Sequence, residues 1–257
     1  MNNNRPIVDL SLTVSGVHFF SASLFEVTLK SSEKLPDILP GQFAQIRLPQ
    51  SSGVFLRRPL SIYRHTDRSL SLLIQVVGKG TSALALAQPG DLWQVLLPLG
   101  NHFAAPKGTK PLLVGGGVGI APLLELGEHL RKEQGITPTY LLGARSGKHF
   151  PSLDSFSEQG RLYITTEDGS LGEKGYVTDH TILKSEAFSE VYTCGPTPMM
   201  KAVANWSKSM GLTCQASLEN MMACGLGVCL CCVEPTVAGH KTVCTDGPVF
   251  DVNELLW

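Results

Sequence analysis

Pro111-Leu112-Leu113-Val114-Gly115-Gly116-Gly117-Val118-Gly119-Ile120-Ala121-Pro122 is an apolar run, a glycine turn and a helix start in direct succession. Residues 111–114 read as a short buried strand. Pro122 suits the first turn of a helix, where the N–H it lacks would have no intrahelical partner. Leu123, Leu126 and Leu130 follow at i, i+3 and i+7, on one helical face. A glycine turn between a strand and a helix offers backbone N–H groups to a pyrophosphate, the context of a dinucleotide turn. The strict G-x-G-x-x-G spacing is not met, so a plain glycine-rich turn is the alternative.

Downstream the alternation continues. Residues 139–142, 161–165 and 191–193 read as further strands, and 198–210 as a helix with Met199, Val203, Trp206 and Met210 as its core stripe. Strands alternating with helices predict a parallel sheet. Thr193-Cys194-Gly195-Pro196 ends the last of these strands. It is a second candidate for dinucleotide contact, or else a buried Cys before a Gly-Pro turn. Arg145 and Lys148, after the second strand, are placed to grip a 2′-phosphate if one is present.

Upstream the period changes. Residues 7–14, 24–29, 43–48, 70–77 and 92–97 are apolar, β-branched runs separated by Pro40-Gly41, Gly78-Lys79-Gly80 and Pro89-Gly90. Short strands at this spacing predict a small barrel. Within it, Arg57-Arg58-Pro59-Leu60-Ser61 sets a cation, a rigid ring and a hydroxyl side by side. Gly78-Lys79-Gly80-Thr81 opens a helix near Ser82 whose N–H groups can meet a phosphate. Alone, the first of these reads equally as an ordinary strand edge.

The C-terminal forty residues carry the most specific signal. Five of seven cysteines lie between Cys224 and Cys244. Cys224, Cys229 and Cys232 form C-x4-C-x2-C, and Cys244 follows after eleven residues, the plant-type [2Fe–2S] spacing. Gly225 and Gly227 allow the tight wrapping such a cluster needs. Zinc is the first alternative, although only Cys229 and Cys232 form the short pair that zinc sites favour. Buried free thiols are the second. Cys231 is surplus and is expected to be a packed thiol.

The chain has 257 residues, 43% of them hydrophobic, and a net charge of -1. This suits about two domains with ordinary cores and, with no basic block, excludes nucleic acid as the expected partner. No apolar signal core follows Met1-Asn2-Asn3-Asn4-Arg5-Pro6, and no uncharged stretch reaches the ~20 residues of a membrane span. A soluble cytoplasmic protein is expected.

The order Arg-Pro-Leu-Ser, Gly-Lys-Gly-Thr, Gly-Gly-Gly-Val-Gly-Ile-Ala-Pro, Cys-Gly-Pro resembles the ferredoxin–NADP reductase superfamily. Within it, Glu219-Asn220-Met221-Met222-Ala223-Cys224-Gly225-Leu226-Gly227-Val228-Cys229 and Val243-Cys244-Thr245-Asp246-Gly247-Pro248-Val249-Phe250 resemble the electron-transfer subunits of NAD-dependent (class 1B) dihydroorotate dehydrogenases. The resemblance implies an N-terminal β-barrel FAD domain (1–105), a Rossmann-like α/β NAD-binding domain (106–215) and a C-terminal [2Fe–2S] segment (216–257). It assigns Arg58, Pro59, Leu60, Ser61, Leu73, Ile74, Gln75, Gly80 and Thr81 to FAD, and Gly115, Gly116, Gly117, Gly119, Cys194 and Gly195 to NAD. Cys224, Cys229, Cys232 and Cys244 would hold the cluster. Gln75 stands where relatives often carry Arg, and His102 where Gly is expected. No role follows for His102.

The implied function is electron transfer in pyrimidine biosynthesis. An FMN-containing catalytic subunit oxidises dihydroorotate, in a heterotetramer, and electrons pass through [2Fe–2S] and FAD to NAD+. No catalytic residue acting on orotate is expected in this chain. An NAD(P)H:acceptor reductase subunit of another redox complex and a non-redox module with a zinc-stapled tail are the alternatives. The cluster segment is expected at the interface with the catalytic subunit, exposing Met221, Met222, Leu226 and Leu230. The alternative is that these four pack on the FAD domain.

Overall fold

The computed structural model describes residues 6–48 and 53–257. The polar opening 1–5 lies outside them. Strands β1 (Val8–Ser21), β2 (Leu24–Lys30), β3 (Phe43–Ile46), β4 (Arg58–Thr66), β5 (Ser69–Gln75) and β6 (Leu92–Leu99) close a barrel in the order β1-β2-β5-β4-β3-β6. Alternation explains it. Phe25, Val27 and Leu29 of β2, and Leu70, Leu72 and Ile74 of β5, point inward at period two and are buried. Each such side chain contributes about 1.5–3 kcal/mol on burial. β1 runs on to Ser21 through two register shifts, beyond the expected end at residue 14.

The sequence does not predict β4 as a full strand, because its alternation is poor: only Ile62 and Tyr63 are fully buried. Its first half pairs with β3 alone, Gln45 opposite Pro59, and pairing with β5 begins only at Ile62. The edge of residues 58–61 is therefore unpaired on one side, which is where a strand tolerates Pro. The short helix α1 (Lys79–Leu84) lies at this opening, with Gly80 against Arg58.

The second layer contains β7 (Pro111–Gly116), α2 (Ala121–Gln134), β8 (Thr139–Ala144), α3 (Asp154–Gln159), β9 (Arg161–Thr166), β10 (Glu173–Lys174), α4 (Ile182–Ser185), β11 (Glu190–Cys194), α5 (Thr197–Ser209) and β12 (Thr213–Ser217). β13 (Val233–Thr236), β14 (Gly239–Thr242) and β15 (Val249–Asp251) follow. The sheet order is β10-β9-β8-β7-β11-β12-β15, parallel except for β15. The chain winds outward from β7 to β10 and returns to the other side of β7 as β11. The switch point, where such sheets bind ligands, thus lies between β7 and β11.

α5 turns differently from expectation. Met200, Val203, Ala204 and Ser207 face the sheet, while Met199 and Trp206 are half-buried and Met210 is exposed. The small Ala204 and Ser207 let the helix approach closely, which rotates the large residues to the flanks. The C-terminal segment is not independent of the sheet. β12 extends past residue 215, β15 adds the seventh strand, and Leu218, Met222, Cys232, Val243, Cys244 and Phe250 share a core with Phe43, Leu112, Val114 and Val191. Asn101, just after the barrel, donates from Nδ2 to the Asp246 and Val249 carbonyls at 2.8 and 2.7 Å and accepts the Val249 N–H at 2.9 Å. No helix of the described residues is long and apolar enough to cross a membrane.

The two layers meet where β4 crosses α2. Arg64 Nε lies 2.9 Å from Glu128, and His65 Nδ1 lies 2.9 Å from the buried Glu125. Burial pulls the His65 pKa down, but the Glu125 carboxylate, with Glu128 behind it, outweighs burial and the net shift is upward. A raised folded-state pKa stabilises the fold at pH below the unfolded value of about 6.5, and this is lost as pH rises through the folded value. Glu125→Gln should therefore lower the melting temperature more at pH 5.5 than at pH 8.5. Scanning calorimetry at both values tests this, and a pH-independent difference would show that His65 stays neutral.

Candidate functional site

The loop from Cys224 to Cys232 has no regular structure, and Gly225 (φ 71°), Gly227 (φ 77°) and Leu230 (φ 58°) are left-handed. These turns aim backbone N–H groups at sulfur. Leu226 N donates to Cys224 Sγ at 3.3 Å and Gly227 N to Cys244 Sγ at 3.2 Å. Cys244 N donates to Cys232 Sγ at 3.4 Å. The Leu226 amide first, then the amides of Cys229 and Val228 and the Cys229 thiol, hold the Cys224 thiol down at about 6, although burial opposes them. Burial first, then the adjacent Cys232 thiol, pushes Cys244 up to about 12.

The Cys229 thiol thus acts on Cys224, and the Cys232 and Cys224 thiols both act on Cys244. Among the described residues no group of three or more His, Cys, Asp or Glu side chains is placed to hold one metal ion. Four thiols under convergent N–H groups suit a two-iron cluster, which takes two thiolates on each iron, better than tetrahedral zinc. Cys231 shares none of the contacts among these four. It is exposed, as is Cys229, contrary to the packed thiol expected.

At the barrel opening the two arginines divide. Arg57 pairs with Asp9 at 2.6 Å. Arg58 donates to the carbonyls of Leu56 and Arg57, and its Nε lies so near Gly80 that a Cβ there would come within 2.3 Å. The Thr81 hydroxyl accepts the Val77 and Gly78 N–H groups at 2.8 and 3.2 Å and so shapes the α1 turn. Arg58, Pro59, Leu60 and Ser61 are all half-buried along the unpaired edge of β4. The β5 residues separate. Ile74 is buried, its side chain turned into the barrel core. Leu73 is buried between the layers, and Gln75 lines the cleft described next.

That cleft, of about 630 Å³, lies at the switch point between the barrel and the C-terminal ends of the parallel strands. Gly116 and Gly117 line it. Gly115 is packed behind them, where a Cβ would meet Ile120 and Leu123 at 2.9 Å. Gly119 meets Gly195 backbone to backbone: a Cβ on Gly119 would lie 2.5 Å from Gly195 Cα. Only glycine lets the turns after β7 and β11 touch. Cys194 does not line the cleft. It is fully buried, with Sγ 3.9 Å from Glu219, and burial raises the Cys194 thiol above its ordinary range. Sequence reasoning missed His149, Glu167, Tyr176 and Met199, which also line the cleft. They come from separate segments, Met199 from α5 and the others from connections after the strands, and no spacing links them. Arg145 faces the cleft, whereas Lys148 does not line it.

Residues 219–256 match the iron–sulfur cluster binding domain of dihydroorotate dehydrogenase B, and residues 113–205 match the oxidoreductase NAD-binding domain. The chain is 37% identical over 253 residues to the dihydroorotate dehydrogenase B (NAD(+)) electron transfer subunit of Bacillus caldolyticus, spanning 95% of this chain and 97% of that protein. It is 40% identical over 225 residues to the subunit of the same name from Geobacillus sp. (strain WCH70), spanning 84% and 86%. A chain in the structure of the NADH-dependent reduced ferredoxin-NADP oxidoreductase superposes with a TM-score of 0.86 at 32% identity, covering 96% of this chain and 90% of that one. The ferredoxin reductase in carbazole 1,9a-dioxygenase shares the fold, with a TM-score of 0.70 at 22% identity over 80% of this chain and 67% of that one.

Proposed function

The chain belongs to the family of dihydroorotate dehydrogenase B electron-transfer subunits, and we propose that it carries electrons from dihydroorotate oxidation to NAD+ in pyrimidine biosynthesis. The observation that carries this reading is the gathering of four thiols under backbone amides, in a segment packed against both the barrel and the switch-point sheet. The groups it holds are FAD, one [2Fe–2S] cluster and NAD. Bound flavin joins the single electrons a cluster carries to the hydride pair a nicotinamide accepts.

The chain's residues act by holding and orienting. Cys224, Cys229, Cys232 and Cys244 are the cluster ligands, with N–H groups from Leu226 and Gly227 on their sulfurs. Arg58 to Ser61, with Gly80 and Thr81, hold FAD along the unpaired edge of β4, and the Arg58 guanidinium supplies charge for the pyrophosphate. Gly116 and Gly117 form the wall against which NAD lies, while Gly115, Gly119 and Gly195 keep the two turns in contact. The division into 1–105, 106–215 and 216–257 follows these roles.

The partner is a separate catalytic subunit that oxidises dihydroorotate. In our reading it carries FMN and the assembly is a heterotetramer in the cytoplasm. The decisive experiment recovers the complex from the native cell and measures dihydroorotate-dependent reduction of NAD+. A complex that contains no dihydroorotate-oxidising subunit would overturn the reading, in favour of another redox complex such as the 32%-identical oxidoreductase chain suggests. In the same preparation NADH should reduce the bound flavin at least about tenfold faster than NADPH. The Glu167 carboxylate in the cleft opposes a 2′-phosphate, and about 1.4 kcal/mol of such repulsion is a factor of ten. Equal rates would show that Arg145 dominates instead.

A further inference from the structure

β3 is one wall of the barrel, and its side chains alternate. Ala44 and Ile46 face the barrel core, while Phe43 and Gln45 face the other way. On that outer face Phe43 joins the core that contains Met222, Cys232 and Cys244. Gln45 meets the cluster loop directly. A Cβ placed on Gly225, the residue after Cys224, would lie 2.8 Å from Gln45 Cδ and Nε2 and 3.0 Å from Oε1. The near-equal distances mean that the carboxamide lies broadside to Gly225, with its polar edges running along the loop.

Gln45 is 0% exposed, and among the described residues neither Nε2 nor Oε1 has a hydrogen-bond partner. Buried amides are normally paired, because an unpaired one loses its hydration without return. Neighbouring Gln42, equally buried, shows the normal state: its Oε1 accepts the Leu39 N–H at 2.8 Å and its Nε2 donates to the Gly100 carbonyl at 3.0 Å. An apolar residue would fill the Gln45 site without this cost. The acceptors that the adjoining loop is built to present are sulfurs, and the backbone already directs N–H groups at three of the cysteine sulfurs.

We propose that the Gln45 carboxamide donates a hydrogen bond to a sulfur at the Cys224 corner of the [2Fe–2S] cluster, setting its reduction potential from the barrel side. The proposal rests on the cluster reading given above. Rotation of the amide exchanges its oxygen and nitrogen, so the NH2 reaches the loop side in one of two orientations. The same residue pairs with Pro59 of β4, and its carbonyl accepts from Arg57 Nη1 at 3.4 Å. Gln45 therefore spans the wall between the strand proposed to hold FAD and the cluster loop. It is a positioning residue that acts on the cluster through its donor. A donor to sulfur favours the reduced form, which carries one more negative charge, so its removal lowers the potential.

The test is a redox titration of the loaded protein followed by electron paramagnetic resonance, with the flavin midpoint as internal reference. Gln45→Leu keeps the volume and removes the donor. At a fixed poise its ratio of reduced to oxidised cluster should fall about tenfold, a midpoint about 59 mV lower for one electron. In wild type labelled with 15N only at glutamine side chains, pulsed resonance of the reduced cluster should show coupling to a nitrogen. An unchanged midpoint in fully loaded Gln45→Leu overturns the proposal. If that variant fails to load the cluster, absence of the glutamine nitrogen coupling in wild type overturns it instead. Wild type purified anaerobically without two irons would overturn the underlying reading.

Discussion

Cys229→Ser should strip the C-terminal loop of its iron, while Cys231→Ser, two positions away, should leave two irons and two sulfides per chain. The Cys229 thiol acts on that of Cys224, the Cys232 and Cys224 thiols act on that of Cys244, and Cys244 N donates to Cys232 Sγ. Removing one thiolate leaves an iron with a single protein ligand. Ligand binding of this kind is also folding free energy for a segment with so little regular structure, so Cys229→Ser should lower the melting temperature as well as bleach the visible absorption. Cys231 is exposed and shares none of these sulfur contacts, so its loss should change neither. Anaerobic purification followed by iron and sulfide analysis decides the matter. Equal loss of iron from the two variants would show that the ligand set is wrong.

Val228→Glu or Leu230→Glu should separate the chain from its catalytic subunit and abolish transfer from dihydroorotate to NAD+, while NADH-driven reduction of an artificial dye persists. The cluster loop presents Met221 at 83%, Val228 at 79%, Leu230 at 63% and Leu226 at 47% exposure, a large apolar cap on a segment bearing the proposed ligands. Exposed apolar surface of this concentration marks contact surfaces. A single-electron carrier must also lie close to the group that feeds it. Truncating or charging a central interface residue typically costs about 2 kcal/mol or more, roughly thirtyfold in affinity. Ultracentrifugation of the mixed subunits gives the association constant directly. Wild-type assembly and transfer in both variants would place the catalytic subunit on another face. Met222, grouped by sequence with the exposed residues, cannot contribute: it is 8% exposed and packs in this chain's own core beside Cys232 and Phe43.

Short-range chemistry is legible in the amino-acid sequence. The cysteine spacing, the glycines at 115–119 and the strand–turn–helix succession depend on residues within about a dozen positions, and local sterics fix such features largely by themselves. The spacing singles out four of seven cysteines, and backbone N–H groups are directed at the sulfurs of three of them. The class of both halves is legible as well, since period two and period 3.6 report the element type.

Periodicity does not report which neighbour covers a face, and there the tertiary structure decided. The α5 stripe centres on Ala204 and Ser207 because the sheet favours close approach over large side chains. β4 forms on partners to each side although its own alternation is weak. Ile74 turns into the barrel while Gln75, its neighbour, faces the cleft, since adjacent strand residues point to opposite sides. Gln45 and Gly225 are 180 positions apart, and their contact exists only because the C-terminal segment, joined to the sheet through β15, is laid against the outer wall of the barrel. By itself the sequence determined what each piece could bind. How the barrel wall, sheet edge and cysteine loop meet is set by burial of apolar surface shared among distant segments, which no local pattern encodes.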